Sequence, residues 1–265
     1  MQNAEQQFKL FSESLQLSVE DHGTGKTFLV LHGGAGPASV AGLAEALAKD
    51  ARAIVPTHPG FAGQPRPSWF RRMDDLVLAY LALLERLDLN DVVIVGNSIG
   101  GWIAAEMALR CSPRIATIVL LNAVGIDADP EGRGIENPMA VSPEKRVALA
   151  FHDPKKFTLL LQNPTALAIM AENQKALMTY AGEHYMHDPG LRARLAEVDV
   201  PALVIWGASD GIVDVKYGRR FAESIPGSRF QVIAEAGHFP HIEKLDEVLE
   251  SIGAFSAVAS IHARS

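Results

Sequence analysis

The sequence has few of the features that mark secreted, membrane or nucleic-acid-binding proteins. It holds one cysteine, Cys111, so no disulfide forms within the chain and an oxidising compartment is not required. Its first residues carry no secretory signal pattern, and no apolar run is long enough to span a bilayer. The net charge of -7 disfavours nucleic acid as a partner. We expect a cytoplasmic protein without nucleic acid or membrane partners, and a homodimer is left open.

Short β-branched runs alternate with helical patterns along residues 1–124 and again along residues 199–265. This alternation predicts a parallel sheet with helices on both faces, an α/β fold. Between residues 125 and 198 the pattern changes, because helical segments and scattered prolines appear without a convincing strand. The sequence therefore predicts an α/β core formed by 1–124 and 199–265, with 125–198 inserted as a helical unit.

The most informative motif is Gly-x-Ser-x-Gly around Ser98, directly after the apolar run Val92–Val95. A strand that turns at once into a helix holds the central residue in a strained conformation. The residues two before and two after it, Gly96 and Gly100, then lie too close together for side chains. This context predicts that Ser98 is a nucleophile exposed at the tip of the turn.

A serine hydroxyl needs a base, and the base needs a carboxylate that fixes its tautomer. Catalytic side chains of an open α/β sheet are expected beyond the carboxyl ends of its strands. Asp210 follows one late strand and His238 follows the next, which gives the order Ser98, Asp210, His238. The competing residues are Asp214, where a helix N-cap is expected, Glu235, which is close to His238 in sequence, and His241, which leads into the last helix.

Two backbone N–H groups aimed at the reacting oxygen would stabilise its negative charge. Ile99, directly after the nucleophile, supplies the first candidate. Gly34, in the glycine-rich loop after the strand 27–31, supplies the second, and the neighbouring Gly33 and Ala35 stay open as alternatives. The same loop lacks the Lys-Ser/Thr ending of a phosphate-binding P-loop.

With these motifs the chain resembles the α/β-hydrolase superfamily over essentially its whole length. The matching segments are 32–34, 58–61, 96–101, 206–210 and 237–243. The resemblance implies an α/β-hydrolase fold with a mostly parallel eight-stranded sheet, a helical cap at 125–198 and a Ser-His-Asp triad. It also implies a hydrolase that needs no cofactor and no metal, and it leaves the substrate class wide.

Three functions follow from this resemblance. The first function is hydrolysis of a small, largely apolar carboxylic ester. Asn97 before the nucleophile resembles hydrolases that cleave a carbon–carbon bond in aromatic ring-cleavage products, but Trp102 stands where such enzymes usually place an arginine. A non-catalytic ligand-binding or signalling module on the same fold is the third alternative.

The candidate substrate-binding residues named at the end of this paragraph are mostly apolar, which predicts an apolar substrate pocket. Each of these residues has the alternative role of burying the inserted helices against the core. The candidate substrate-binding residues are Gly33, Trp102, Phe151, Phe157, Leu160, Met170 and Phe239.

Overall fold

The computed structural model describes residues 4–128, 134–157 and 163–262. In these ranges eight strands form one sheet in the order β1-β2-β4-β3-β5-β6-β7-β8. The predicted α/β sheet is confirmed, since β3 to β8 run parallel and only β2 is antiparallel to its neighbours. The strands are β1 Ala4–Leu10, β2 Leu15–Gly23, β3 Thr27–Leu31, β4 Arg52–Pro56, β5 Val92–Asn97, β6 Ile115–Leu121, β7 Ala202–Gly207 and β8 Arg229–Ile233.

Helices cover both faces of the sheet, as the alternating pattern predicts. Along β5, Val92 and Ile94 pack in the core formed with α2, α3 and α7, whereas Val93 and Val95 pack in the core formed with α1 and α9. The two-residue period of a strand thus divides one apolar run between two cores. The helices are α1 Ala41–Leu47, α2 Met73–Arg86, α3 Ile99–Ala108, α4 Pro143–Ala150, α5 Pro164–Tyr180, α6 Leu191–Arg194, α7 Val215–Glu223, α8 Pro240–Glu243 and α9 Leu245–His262.

The strand β1 is not predicted by the sequence pattern. It lies at the edge of the sheet and pairs only with β2. Most of its side chains are exposed, so the segment lacks the apolar alternation by which a strand is recognised.

The described residues between β6 and β7 form α4, α5, α6 and short 3₁₀ turns, with one isolated bridge between Gly125 and His187. We call the chain between β6 and β7 the inserted segment. The N–H of Asp188, near its end, donates to the carbonyl of Gly125, near its start, at 2.9 Å. Arg194 of α6 forms two hydrogen bonds, 2.8 and 2.9 Å, with the buried Glu106 of α3. The inserted helices are therefore anchored to the helix that follows the nucleophile motif.

Candidate active site

Ser98 occupies the sharp turn between β5 and α3 with φ 56° and ψ −117°. Such a positive φ in a non-glycine residue costs about 1–3 kcal/mol and persists only where the surrounding structure imposes it. The prediction that Ser98 is exposed is wrong, because the residue is buried at 7% exposure. A β-carbon on Gly96 would clash with the backbone of Gly100, and one on Gly100 would clash with the carbonyl of Leu31. Gly96 is thus required by its close approach to Gly100, as their spacing predicts, whereas Gly100 is required by its close approach to the end of β3.

Asp210 and His238 meet at the carboxyl ends of β7 and β8. His238 donates its Nδ1–H to Oδ2 of Asp210 at 2.8 Å, and both side chains are buried. The N–H groups of Ile212 and Val213 donate to Oδ1 of Asp210 at 2.8 and 3.1 Å. Because Nδ1 carries the donated proton, the Nε2 atom of the neutral ring is left free to accept one.

The competing acids and base have other partners. Asp214 caps α7 by accepting from the N–H of Tyr217 at 2.9 Å, and Glu235 pairs with Lys244 at 2.9 Å on the surface. His241 donates Nε2–H to the carbonyl of Ser39 at 3.0 Å, and burial lowers its pKa to about 4. Asp210 and His238 are thus the acid and the base that the fold brings together.

Asn97 joins the turn at Ser98 to the loop that carries His238. Its Nδ2 donates to the carbonyls of Leu121 and His238, both at 3.1 Å. The backbone N–H of His238 donates to the carbonyl of Ala150 at 2.7 Å. The position of the histidine is therefore set both by the nucleophile turn and by α4 of the inserted segment.

Asn122 is a residue of this site that the sequence analysis missed. It follows β6, and its Nδ2 donates to Oδ2 of Asp210 at 2.7 Å while its Oδ1 accepts from the N–H of Gly207 at 3.2 Å. The only signal available in the sequence is its place after a strand, at the sheet edge where Ser98 and Asp210 also lie.

The loop after β3 lies against the nucleophile, because a β-carbon on Gly33 would be 2.9 Å from Cβ of Ser98. His32 donates Nδ1–H to the carbonyl of Gly33 at 2.8 Å, and the N–H of Gly36 donates to the same carbonyl at 3.1 Å. These bonds fix the peptide unit whose opposite end is the N–H of Gly34. Ile99 is the first residue of α3, where backbone N–H groups lack partners within the helix.

Two buried histidines, His32 and His58, form hydrogen bonds at the start of this loop. His32 accepts the N–H of His58 on Nε2 at 3.0 Å, which leaves the proton on Nδ1. His58 donates Nε2–H to the carbonyl of His32 at 2.8 Å and accepts the Tyr80 hydroxyl on Nδ1. Burial lowers the pKa of His32 to about 4 and that of His58 well below its ordinary value, so both rings are neutral at neutral pH.

Three predicted pocket residues form an aromatic cluster beside His238. The rings of Phe151 and Phe157 stack with centroids 3.8 Å apart, and Phe151 lies 5.3 Å from Phe239. The ring of Phe239 is 5.2 Å from that of His238. The cluster therefore borders the histidine with apolar surface contributed in part by the inserted segment.

The other predicted pocket residues have different surroundings. Trp102 is buried, and a β-carbon on Gly125 would lie 2.6 Å from its indole and 2.9 Å from Leu191, so it packs where the inserted segment begins and ends. Met170 is half-buried on α5. Leu160 lies outside the described residues.

Within the described ranges no group of three or more His, Cys, Asp or Glu side chains is arranged to hold a metal ion. His184 and His187 lie near each other, with ring centroids 5.6 Å apart, but this pair does not belong to any such group of three among the described residues. No helix in the described part of the chain is both long and apolar enough to cross a membrane.

The sequence profile of the Alpha/beta hydrolase family matches residues 28–251. A relative from Pseudomonas putida, the dihydrolipoyllysine-residue acetyltransferase component of an acetoin cleaving system, is 29% identical over 222 residues. The match covers 79% of this chain but only 57% of that protein. A second relative from Pseudomonas putida, 2-hydroxy-6-oxononadienedioate/2-hydroxy-6-oxononatrienedioate hydrolase 2, is 28% identical over 250 residues, 86% of this chain and 87% of that protein.

A thermophilic esterase from Thermogutta terrifontis, solved with malate bound, is similar in structure with a TM-score of 0.73. The superposition covers 97% of this chain and 99% of the esterase, at 23% sequence identity. At this identity the likeness concerns the fold.

Proposed function

The chain belongs to the alpha/beta hydrolase family, and on that premise we propose that it is a cofactor-free serine hydrolase of small, largely apolar carboxylic esters. The observation that carries the proposal is the buried pair of His238 and Asp210, with Nδ1–H of the histidine committed to the carboxylate at 2.8 Å. That bond leaves Nε2 as a base at the same sheet edge as Ser98. A cytoplasmic location is part of the proposal.

In the proposed reaction, Nε2 of His238 takes the proton of the Ser98 hydroxyl while its oxygen attacks the ester carbonyl. The carbonyl π bond opens to an oxyanion, which accepts hydrogen bonds from the N–H groups of Ile99 and Gly34. As the oxyanion collapses, the ester C–O bond breaks and His238 returns its proton to the leaving alcohol. Water, activated by the same histidine, then releases the acid and restores Ser98.

Asp210 has two tasks in this scheme. It holds the ring of His238 so that Nε2 faces the nucleophile, and its charge stabilises the imidazolium that forms during attack. The N–H groups of Ile212 and Val213 and the amide of Asn122 supply three further donors to the carboxylate. These donors hold the carboxylate in place beside the ring of His238.

The apolar substrate class is supported by the cluster of Phe151, Phe157 and Phe239 beside His238. Such surface favours an uncharged acyl or alkyl group. Cleavage of a carbon–carbon bond is the second candidate, because one relative is named as a hydrolase of a 2-hydroxy-6-oxo dienedioate. Because Trp102 stands where such enzymes usually place an arginine, we rank ester hydrolysis above carbon–carbon cleavage.

The test is covalent labelling with a fluorophosphonate, together with hydrolysis of p-nitrophenyl butyrate. We expect the wild-type chain to be labelled and active, and Ser98→Ala to lose both. Ser209→Ala is the matched control, because Ser209 also contacts a histidine, with its Oγ 2.8 Å from Nδ1 of His152, and is expected to stay labelled. Absence of labelling in the wild type would favour a non-catalytic binding module.

A second assay separates the two substrate classes. The wild-type kcat/KM for p-nitrophenyl butyrate is compared with that for a coloured ring-cleavage dienoate. We expect the ester to be the better substrate. A much higher kcat/KM for the dienoate would overturn the ester and keep the serine nucleophile.

A further inference from the structure

Helix α5 of the inserted segment lies across the loop that carries the candidate oxyanion donors. Its described buried side chains all come from the carboxyl-terminal half and recur at helical spacing: Asn173, Ala176, Leu177 and Tyr180. A β-carbon on Gly34 would lie 2.6 Å from Leu177, and one on Gly60 would lie 3.4 Å from Ala176. This stripe of α5 is therefore in contact with two loops of the sheet edge, 33–36 and 58–64.

Asn173 is the polar member of this stripe and is 2% exposed. Its Nδ2 donates to the carbonyl of Ala35 at 2.9 Å, and its Oδ1 accepts from the N–H of Ala62 at 2.8 Å. A buried amide is costly unless its donor and acceptor are both used, and here both are used by backbone groups of the two loops. Asn173 thus joins α5 to the loop 33–36, which we call the oxyanion loop, and to the loop 58–64.

The bond to Ala35 completes the set of contacts that orient the oxyanion loop. The carbonyl of Gly33 is held by His32 and by the N–H of Gly36. The carbonyl of Ala35 is held by Asn173 from the opposite element. The N–H groups of Gly34 and Ala35, two of the candidate donors, lie between these two carbonyls along the chain.

We propose that Asn173 is a positioning residue for catalysis, which holds the oxyanion loop in its donating orientation. This inference rests on the proposed serine hydrolase function. Asn173 acts through the backbone of Ala35 and need not contact the substrate.

The main test compares Asn173→Leu with Tyr180→Phe in the full chain. The leucine keeps the branched shape of asparagine, with larger methyl groups in place of the amide oxygen and nitrogen, but cannot hydrogen-bond to either loop. Tyr180→Phe is the matched control, because Tyr180 is buried on the same stripe and donates its hydroxyl to the carbonyl of Pro59 at 2.8 Å, away from the oxyanion loop. For each variant we would measure kcat and KM for p-nitrophenyl butyrate, the Ki of an aryl trifluoromethyl ketone, and Tm.

For Asn173→Leu we expect kcat to fall about 10- to 100-fold, the range expected when a reacting group is displaced by about 1 Å, with KM changed less than twofold. The Ki of the trifluoromethyl ketone should rise by the same factor, because its adduct with Ser98 carries the oxyanion. Tyr180→Phe should keep kcat within about twofold of the wild type. A fall in Tm for both variants with kcat unchanged would mean that Asn173 only stabilises the fold, and would overturn the proposal.

Asn173→Asp provides a second arm if the leucine variant does not fold. A protonated carboxyl can donate to Ala35 and accept from Ala62, whereas a carboxylate repels the Ala35 carbonyl. The ratio of variant to wild-type kcat should therefore fall as the pH rises, and a ratio that is constant with pH would overturn the proposal. Loss of labelling at Ser98 in the wild type would instead refute the hydrolase function, so the two failures are distinguishable.

Discussion

Asn122 donates a hydrogen bond of 2.7 Å to Oδ2 of Asp210, the same oxygen that accepts the ring proton of His238. The backbone of Asn122 has φ 46°, a left-handed conformation that asparagine tolerates better than most residues. Its Oδ1 accepts from Gly207, so one side chain links the ends of β6 and β7. The carboxylate of the proposed triad is thus oriented by a neighbouring strand as well as by its own loop.

Asn122→Ala should lower kcat for an ester substrate about tenfold, because a hydrogen bond to a charged group contributes about 1.5–3 kcal/mol. The measurement is kcat together with Tm, so that loss of folded protein is accounted for. Asn90→Ala is the control, because the exposed amide of Asn90 donates to the carbonyl of Asp88 far from this site in the chain. Equal kcat in the wild type and Asn122→Ala would show that the backbone donors to Asp210 suffice.

Gly100→Ala should unfold or strongly destabilise the protein, because its β-carbon would overlap the carbonyl of Leu31. Overpacking against backbone costs about 1–3 kcal/mol or more, measured as the free energy of unfolding in urea. Gly253→Ala in α9 is the matched control, since a β-carbon there meets no atom within 4 Å. It should stabilise the protein by about 0.5–1 kcal/mol through helix propensity, and similar effects of the two substitutions would contradict the close approach at Gly100.

The free energy of unfolding should fall as the pH is lowered from about 6.5 to about 4. Burial lowers the pKa of His241 from 6.5 to about 4, so within this window the unfolded chain binds the proton and the folded chain does not. Each such histidine contributes a slope of up to about 1.4 kcal/mol per pH unit, and the stability rises with pH. The stabilising contribution is complete above pH 6.5 and is lost as the pH falls towards 4.

Replacing His241 by glutamine should make this decline shallower, since glutamine does not titrate and its amide still donates to the carbonyl of Ser39. Urea unfolding at several pH values between 4 and 7 would measure the slope for both proteins. An identical slope in wild type and variant would show that His241 does not contribute to the acid sensitivity, leaving the buried pair of His32 and His58 to account for it.

Much of the fold was predictable from local patterns. The run before Ser98 is β-branched and apolar because β5 is covered on both faces, and such burial leaves a clear mark in composition. The edge strand β1 was not predictable, because its exposed side chains leave no such mark. It pairs with β2 through backbone hydrogen bonds, and among its described side chains only Leu10, at its end, is buried in the core, with Phe8 packed against it.

The candidate site likewise contains residues that the sequence pattern predicts and residues that it does not. The sequence pattern predicts Ser98, Asp210 and His238 because each follows a strand, and strand ends of a parallel sheet converge at one edge. Asn122 and Asn173 were missed, because a single asparagine in a loop or helix has no sequence pattern that distinguishes a buried amide from a solvated one. Their roles depend on partners 88 and 138 residues away.

By itself the sequence determined the α/β sheet and the glycine-bounded turn at Ser98, since these follow from local periodicity and from steric limits on adjacent residues, and it predicted Asp210 and His238 as acid and base. Only the tertiary structure decided that Trp102 packs at the ends of the inserted segment, and that Asn173 of α5 holds the loop of Gly34. Those contacts join segments distant in the chain, so they depend on packing and hydrogen bonds that no local pattern of residues encodes.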